Sequence, residues 1–338
     1  MSLLITGGCG FLGLNLTKYL LGLGERIVLF DVKGEIPQYF GGIGDSDRVT
    51  VVKGDVLDYG KLLETLLRHQ VQVVVHTAAI WGEGFCRDEP LKSVKTNILG
   101  AAHVLELARC LGIRRSILIS SRSAYGEYKP EEGPTGENHL PRQVGFYGAA
   151  KAAVDLLCKS YRKQFGLDTV ALRPTGIYGP GWTFATPIKQ FVGKALTSEK
   201  LIMKEGGEYL YEFNYVEDVV RGIDLVRKAK STQYGVYNLG SGKQYTLIEV
   251  AEAVKKHIPE FEFEIGPGYP KGIAPRAAMD VRRFEGEFGY CSKTSLEEGV
   301  AKYVIWARGP GKEFFLKDVG QDPLGYSRRP DRGRGENK

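Results

Sequence analysis

The sequence predicts an α/β protein built on a doubly wound parallel sheet, with a smaller C-terminal lobe. Three observations carry that expectation. The strand-length runs are continuous in Val, Ile and Leu rather than alternating, which marks strands buried on both faces. They alternate with longer segments of helical period through the first half of the chain, as parallel strands joined by crossover helices require. The first run also ends in a glycine turn, TGGCGFLG, that opens a helix.

Taken in order, SLLIT is a strand and a helix follows near 11–23; RIVLFD and VTVVKGD are the next strands, with a helix near 58–69. VQVVVHTAA precedes a helix near 90–111, SILISS precedes one near 147–165, and TVALRP closes the series. After Pro174 glycine and proline cluster in RPTGIYGPG and again in EIGPGYPKGIAP, and the rhythm loosens. The core domain is expected to take 1–174 and to receive 213–242 back. A smaller lobe is then assembled from 175–212 and 243–312, and this interleaving puts a cleft between the two. No internal repeat of solenoid period is present.

The 338 residues are 43% apolar and 25% charged, enough for a large core. The formal charge is +6, but the last thirteen residues, YSRRPDRGRGENK, hold five basic and two acidic side chains. Half of the net charge therefore sits on that tail, and the body gives no reason to expect a nucleic-acid partner. Residues 313–338 are expected to form a flexible basic tail. The five cysteines are scattered, with no C-x-x-C pair, which argues against a disulfide framework and a zinc site and fits a reducing cytoplasm. No basic leader or long apolar stretch points to a membrane.

Gly7, Gly10 and Gly13 follow a strand and open a helix, where backbone passes close to a pyrophosphate at a helix N-terminus; plain β-to-α turns use glycines too. Asp31 ends the second strand eighteen residues past Gly13. A carboxylate there accepts both ribose hydroxyls of an adenosine and repels a 2′-phosphate, so NAD is expected rather than NADP, although Lys33 adds a nearby cation. Asp55, in VVKGDV, either meets the adenine amino group or serves as a turn acid.

GFYGAAK sets Tyr147 and Lys151 four places apart, on one helical face, with only small residues between. A free phenol is a poor base at neutral pH, but a fixed ammonium beside it favours phenolate, which makes Tyr147 a candidate general base for a secondary alcohol. Lys151 would also hold a ribose. The strand ILISS ends in Ser120 and Ser121, and a serine there donates to a substrate oxygen as it becomes a carbonyl, or caps the strand end.

In these segments the chain resembles the extended short-chain dehydrogenase/reductase family, the NAD-dependent epimerase/dehydratase group, whose fold is Rossmann-type. The matching segments are TGGCGFLG, Asp31, GDV at 54–56, HTAA at 76–79, Asn97 in KTNILGA, SSRSAYG, YGAAK, LRPTGIYGPG, YVEDVV, YNLGSG and the late DVRRFEGEFGY with SLEEGV. The resemblance covers about 1–308. It implies Gly7, Gly10, Phe11, Leu12 and Gly13 at the pyrophosphate, Asp31 at the adenosine ribose, and Asp55 with Val56 at adenine. It also implies that Ala78 and Ala79 line the cofactor channel, that Asn97 supports the site, that Pro174 lies beside the nicotinamide, and that Tyr147 and Lys151 touch the cofactor. Ser121, Tyr147 and Lys151 fall on the catalytic triad. His76 is expected to be a packed strand-end residue.

The group shares oxidation of an alcohol carbon by NAD+, and its members differ in the later steps. Dehydratases of the group carry an Asp-Glu pair after the catalytic hydroxyl, where this chain has Arg122 and Ser123, so elimination is not expected. Nucleotide-sugar enzymes usually have Asn where Gly176 stands and an Arg-Pro-Gly-Asp-like segment where 270–273 reads Pro-Lys-Gly-Ile. Substrate contacts are therefore assigned to Arg122, Ser123, Gly176, Lys189, Lys271 and Arg276, with Arg122 forking onto a carboxylate or phosphate, or else ion-paired. The expected activity is an NAD-dependent epimerase of a nucleotide-activated sugar, acting as a homodimer without a metal. The alternatives are a net dehydrogenase of a sugar acid or other secondary alcohol, and a catalytically idle NAD-sensing or RNA-touching protein. A complete Ser, Tyr and Lys set speaks against the last.

Overall fold

The computed structural model describes residues 2–142, 145–182, 184–270 and 276–316. Its first half alternates as the apolar runs predict. Strand β1 (Ser2–Thr6) leads into α1 (Phe11–Gly22), followed by β2 (Arg26–Asp31), β3 (Val49–Lys53), α2 (Tyr59–Arg68) and β4 (Val71–His76). Short helices α3 (Glu83–Asp88) and α4 (Pro90–Val94) precede α5 (Gly100–Leu111), then come β5 (Arg115–Ile119), α6 (Phe146–Phe165) and β6 (Thr169–Pro174).

The second half adds β7 (Gly176–Tyr178), α7 (Pro187–Leu196), β8 (Leu201–Met203), β9 (Leu210–Tyr211), β10 (Phe213–Tyr215), α8 (Val216–Lys228) and β11 (Val236–Leu239). It ends with β12 (Tyr245–Thr246), α9 (Leu247–His257), β13 (Phe263–Ile265), α10 (Arg282–Phe288) and α11 (Leu296–Arg308).

Seven strands form one parallel sheet in the order β11-β6-β5-β4-β1-β2-β3. The chain runs outward from β1 to β3, then returns to β4 on the other side of β1. The loops after β1 and β4 therefore diverge at the C-terminal edge, and a parallel sheet binds ligands at such a reversal. Leu3, Ile5, Val73, Val75 and Ile117 point into a core closed by α1 and α8. Leu4, Val74 and Val28 point the opposite way, against α2 and α5. Burial on both faces is why these strands read as unbroken apolar runs.

The helix expected over 90–111 is interrupted. Lys95–Leu99 forms a wide π turn between α4 and α5. Asn97 faces inward from it, buried, with its amide donating to the carbonyl of Ile80 at 3.0 Å and its oxygen accepting from the Ile80 amide at 2.8 Å. Hydrophobic period alone carries no sign of one extra residue in a turn.

A second core is aromatic. Helices α7, α9 and α11 enclose Tyr178, Trp182, Phe191, Tyr209, Tyr303 and Trp306, the last two stacked at 5.8 Å. The first residues of the tail expected from 313 are ordered instead: Lys312–Phe315 makes a helical turn and Phe315 is fully buried against Tyr303. Residues 317–338, the rest of that expected tail, lie outside the described residues. Helix α10 returns to the sheet, with Phe284 in the same core as Tyr237 and Val219.

A buried ion pair ties α6 to β6. Arg173 Nε donates to Asp155 Oδ2 at 2.7 Å, with both side chains at most 3% exposed. The Arg173 guanidinium also lies 4.3 Å from the ring centroid of Tyr125, whose hydroxyl donates to Asn238 Oδ1 at 2.6 Å. Breaking such a pair strands a charge in a dry interior, at a cost of about 3–5 kcal/mol. Asp155→Ala should therefore lose about that much in urea unfolding, and Asp155→Leu with Arg173→Met should regain most of it. A single-variant loss under about 1 kcal/mol would show that the pair is dispensable.

Candidate active site

The glycine turn after β1 lies against the loop after β4. Gly7 has φ +66, and a Cβ on it would fall 2.6 Å from the amide nitrogen of Ala78, so side chains are barred by both conformation and space. At Gly13 a Cβ would meet the carbonyl oxygen of Gly7 at 2.7 Å. The helix start, with Phe11 and Leu12, is thus pressed onto the turn that precedes it, and bare backbone is presented at the N-terminus of α1.

Asp31 ends β2 beside this turn, buried. Its Oδ2 accepts from the Cys9 amide at 3.1 Å and its Oδ1 from the Lys33 amide at 2.9 Å, which fixes the carboxylate at the strand tip. Asp55 is exposed, and its Oδ1 accepts from the Leu57 amide at 2.9 Å, so a turn already uses one oxygen. Val56 is buried beneath it against Gly100. Ala78 and Ala79 follow β4, and Pro174, buried, ends β6 opposite Leu239. A cradle closed to side chains and a carboxylate held at the second strand fit a dinucleotide.

Helix α6 places Tyr147, Lys151 and Asp155 in one buried row, a turn apart each. Burial pushes the Tyr147 phenol well above its ordinary value, and the Ser121 hydroxyl beside it works against that rise. Ser121 sits just past β5, and its oxygen also accepts from the Ser123 amide at 3.0 Å. Lys151 is buried too, which lowers its ammonium to about 8; Asp155, the next group in the row, acts in the opposite direction. Its Nζ donates to the carbonyl of Ile119 at 2.7 Å and lies 5.7 Å from the Tyr147 ring centroid. Ser120 turns away, its hydroxyl donating to the Lys151 carbonyl at 3.3 Å. His76 is buried against the Thr6 hydroxyl at 2.7 Å, and burial first and Lys151 second push it down to about 3. It stays neutral at physiological pH, leaving Lys151 as the cation of that floor.

Sequence reasoning missed Glu83. Its carboxylate accepts from the amides of Phe146 at 2.7 Å and Tyr147 at 2.9 Å, capping α6 from the start of α3, more than sixty residues earlier. A Cβ on Gly145 would fall 2.4 Å from that carboxylate. The signal was an omission: the residue before FYGAAK has no side chain with which to cap a buried helix start.

Arg122 follows the serine, its Nη2 donating to the carbonyl of Ala277 at 2.6 Å. Burial lowers its guanidinium; Arg276 does the same, and the Glu212 carboxylate opposes them. At Gly176 a Cβ would come 3.0 Å from the Glu212 carbonyl oxygen, tighter than side chains ordinarily pack. Arg122, Ser123, Gly176 and Arg276 therefore lie around one region. Lys189 does not join them. It is fully buried in the lobe core, its ammonium 5.6 Å from the Phe315 ring centroid. Lys271 lies outside the described residues.

Phe11 meets Trp182 at 5.1 Å, Trp182 meets Trp81 at 4.9 Å, and Phe184 contacts both tryptophans. These rings join the glycine turn, the loop after β4 and the lobe.

A dinucleotide cradle beside a Ser, Tyr and Lys set defines an enzyme that moves hydride and proton together at an alcohol carbon. The chain belongs to the NAD dependent epimerase/dehydratase family, whose profile matches residues 3–240. It is 29% identical to the dTDP-glucose 4,6-dehydratase of Streptomyces antibioticus over 91% of this chain and 92% of that protein. A UDP-glucose 4-epimerase structure from Thermotoga maritima, with UDP-glucose, has TM-score 0.80 at 25% identity, covering 91% of this chain and 99% of the other. The UDP-glucuronic acid 4-epimerase of Bacillus cereus, with UDP-glucuronic acid and NAD, has TM-score 0.79 at 25% identity and the same coverages. The enzyme is thus an NAD-dependent member of the extended short-chain type.

Asp31→Ala should abolish preference for NAD over NADP. Binding titrations of the two dinucleotides measure it, and an unchanged affinity ratio would remove Asp31 from the ribose.

Proposed function

We propose that this chain is an NAD-dependent epimerase of a nucleotide-activated sugar, acting by transient oxidation of a secondary alcohol. The reading is carried by the buried row of Tyr147 and Lys151 on α6 with Ser121 beside the phenol, at the sheet edge where the glycine cradle ends. Bound there, NAD+ supplies the hydride acceptor. Tyr147 takes the hydroxyl proton of the sugar, and Ser121 donates to the oxygen as it becomes a carbonyl. Lys151 keeps positive charge beneath the phenol, offsetting the burial that otherwise holds it protonated.

Return of the hydride rather than release of reduced cofactor is favoured by the aromatic rim of Phe11, Trp81, Trp182 and Phe184, which bridges the two walls of the crevice. The cleft between the large domain and the lobe is the sugar's place, with Arg122, Ser123, Gly176 and Arg276 on its wall. A reducing cytoplasm suits five free cysteines. The relatives bound to UDP-glucose and UDP-glucuronic acid support the nucleotide-sugar class.

We also propose a homodimer through α6 and the segment before α5, where Leu91, Val94, Leu99, Leu156 and Phe165 are exposed. Apolar exposure of this extent on adjacent helices is more than scattered surface residues require.

A panel of nucleotide sugars, read by mass spectrometry with NADH absorbance in parallel, should yield an epimer without NADH accumulation. Stoichiometric NADH would instead favour the net dehydrogenase. Tyr147→Phe should lower turnover at least about a hundredfold while NAD stays bound, since a positioned general base contributes roughly 10² to 10⁴. Near-normal turnover would take Tyr147 out of its role. Leu156→Glu should shift sedimentation from dimer to monomer; a monomeric parent protein would end the dimer proposal.

A further inference from the structure

Helix α6 begins without a cap of its own, because Gly145 before it carries no side chain. Glu83, at the start of α3, supplies one: its two carboxylate oxygens accept from the amides of Phe146 at 2.7 Å and Tyr147 at 2.9 Å, and α3 packs on α6. A Cβ on Gly145 would fall 2.4 Å from Glu83 Oε2, so a side chain there would have to push this cap away. One turn on, Lys151 is anchored to the Ile119 carbonyl at 2.7 Å. Tyr147 is therefore held between two anchors, one of them on its own backbone amide. On the other side of Glu83 the chain turns at Gly82, whose φ of +88 side chains rarely adopt. Trp81 then meets Trp182 at 4.9 Å, with the rings perpendicular, and Phe184 at 5.3 Å. Trp182 belongs to the aromatic core of the lobe, and its indole donates to the Thr186 hydroxyl at 3.2 Å.

We propose that Glu83 is a positioning residue for Tyr147, and that through Gly82 and Trp81 it ties the catalytic phenol to the aromatic lobe. Three consecutive residues thus span from the core of the lobe to the base. The inference rests on Tyr147 as the base of the reading above, and it holds whichever sugar is oxidised.

The first turn of a helix has amides without partners inside the helix, and it opens before the rest does. A carboxylate there satisfies two of those amides and meets the positive end of the helix dipole. Glu83 is itself exposed, so replacing it opens no cavity, and the consequence falls on the turn that carries the phenol. The groups beside that phenol come from three elements: Cys86 of α3, Ser121 just past β5, and Lys151 of α6, whose ammonium lies 5.7 Å from the ring centroid. A phenol that drifts from Lys151 loses the neighbouring ammonium and ionises at higher pH. Loss of the Glu83 charge alone has no such effect, because removing an anion never makes a phenol harder to ionise. Gln at this position removes the charge and keeps an acceptor for the helix amides, whereas Ala removes both.

The test is a pH titration of the NAD-loaded protein followed by tyrosinate absorbance, each protein compared with its own Tyr147→Phe counterpart so that one phenol is read. We expect Tyr147 to ionise about one pH unit higher in Glu83→Ala than in Glu83→Gln, a tenfold change in its ionisation constant. Trp81→Ala changes no charge; it should raise the phenol in the parent protein and add nothing in Glu83→Ala, where the tie is already cut. Coincident curves for Glu83→Ala and Glu83→Gln would overturn the positioning role, since a cap that served stability alone lowers the unfolding midpoint and leaves the two titrations together. A Trp81→Ala shift that persists in Glu83→Ala, or none in the parent protein, would overturn the tie to the lobe. That last measurement decides even if Glu83→Ala does not fold. A parent phenol that ionises no earlier than free tyrosine would overturn Tyr147 as base and this inference with it. No sugar enters the measurement, so a sugar panel without turnover would overturn the epimerase reading and leave this inference standing.

Discussion

The site depends on one buried hydrogen bond, from the Lys151 ammonium to the carbonyl of Ile119. Ile119 is the last residue of β5, and its carbonyl lies where the ladder to β6 ends. By donating there, Lys151 fixes the rotation of α6 against the C-terminal end of the sheet. That rotation sets Tyr147, one turn earlier, beside Ser121, two residues beyond Ile119. A helix free to roll would separate the phenol from the serine long before the fold was lost. The same bond also satisfies a buried cation that would otherwise be costly.

Around that bond the charges are arranged so that one positive group survives at the floor. His76 lies close enough to Lys151 to feel its charge and is driven neutral. Asp155 lies one turn further along α6 and favours the ammonium, yet Arg173 holds it, so it does not collapse onto Lys151. Glu83 fixes the other end of the row by capping the helix at Phe146 and Tyr147. Three carboxylate or imidazole neighbours thus surround the row that carries this lysine, while none replaces its carbonyl partner.

The seven-stranded sheet was legible because its strands, the edge strand β3 apart, are buried on both faces, so their apolar runs carry an unmixed signal. The glycine turn, Asp31 and the Tyr147–Lys151 spacing were legible because their constraints are local: a positive φ, a strand tip, one helical turn. Contacts made by distant segments escaped. Glu83 caps a helix that begins more than sixty residues later, and nothing near it in sequence announces a cap. The π turn at Lys95–Leu99 preserves hydrophobic period while changing which side chain faces inward. Lys189 carries a charge that reads as surface, yet α7 buries it in an aromatic lobe core beside Phe315. Gly176 reads in the sequence as a missing asparagine, whereas the structure makes it a close approach to Glu212.

The wall opposite the cradle bears on which reaction succeeds oxidation. Elimination of water from a ketosugar needs a group to protonate the departing hydroxyl and a base for the adjacent carbon. In this chain the two positions after the catalytic serine are Arg122 and Ser123. Arg122 never loses its proton at working pH and is committed to the Ala277 carbonyl. An arginine in that place holds negative charge still rather than moving a proton. The wall is therefore suited to gripping a sugar in a fixed position, or letting it turn about its diphosphate, between removal and return of one hydrogen. The proposed epimerisation has that requirement, and the ring cluster of Phe11, Trp81, Trp182 and Phe184 fits the proposal.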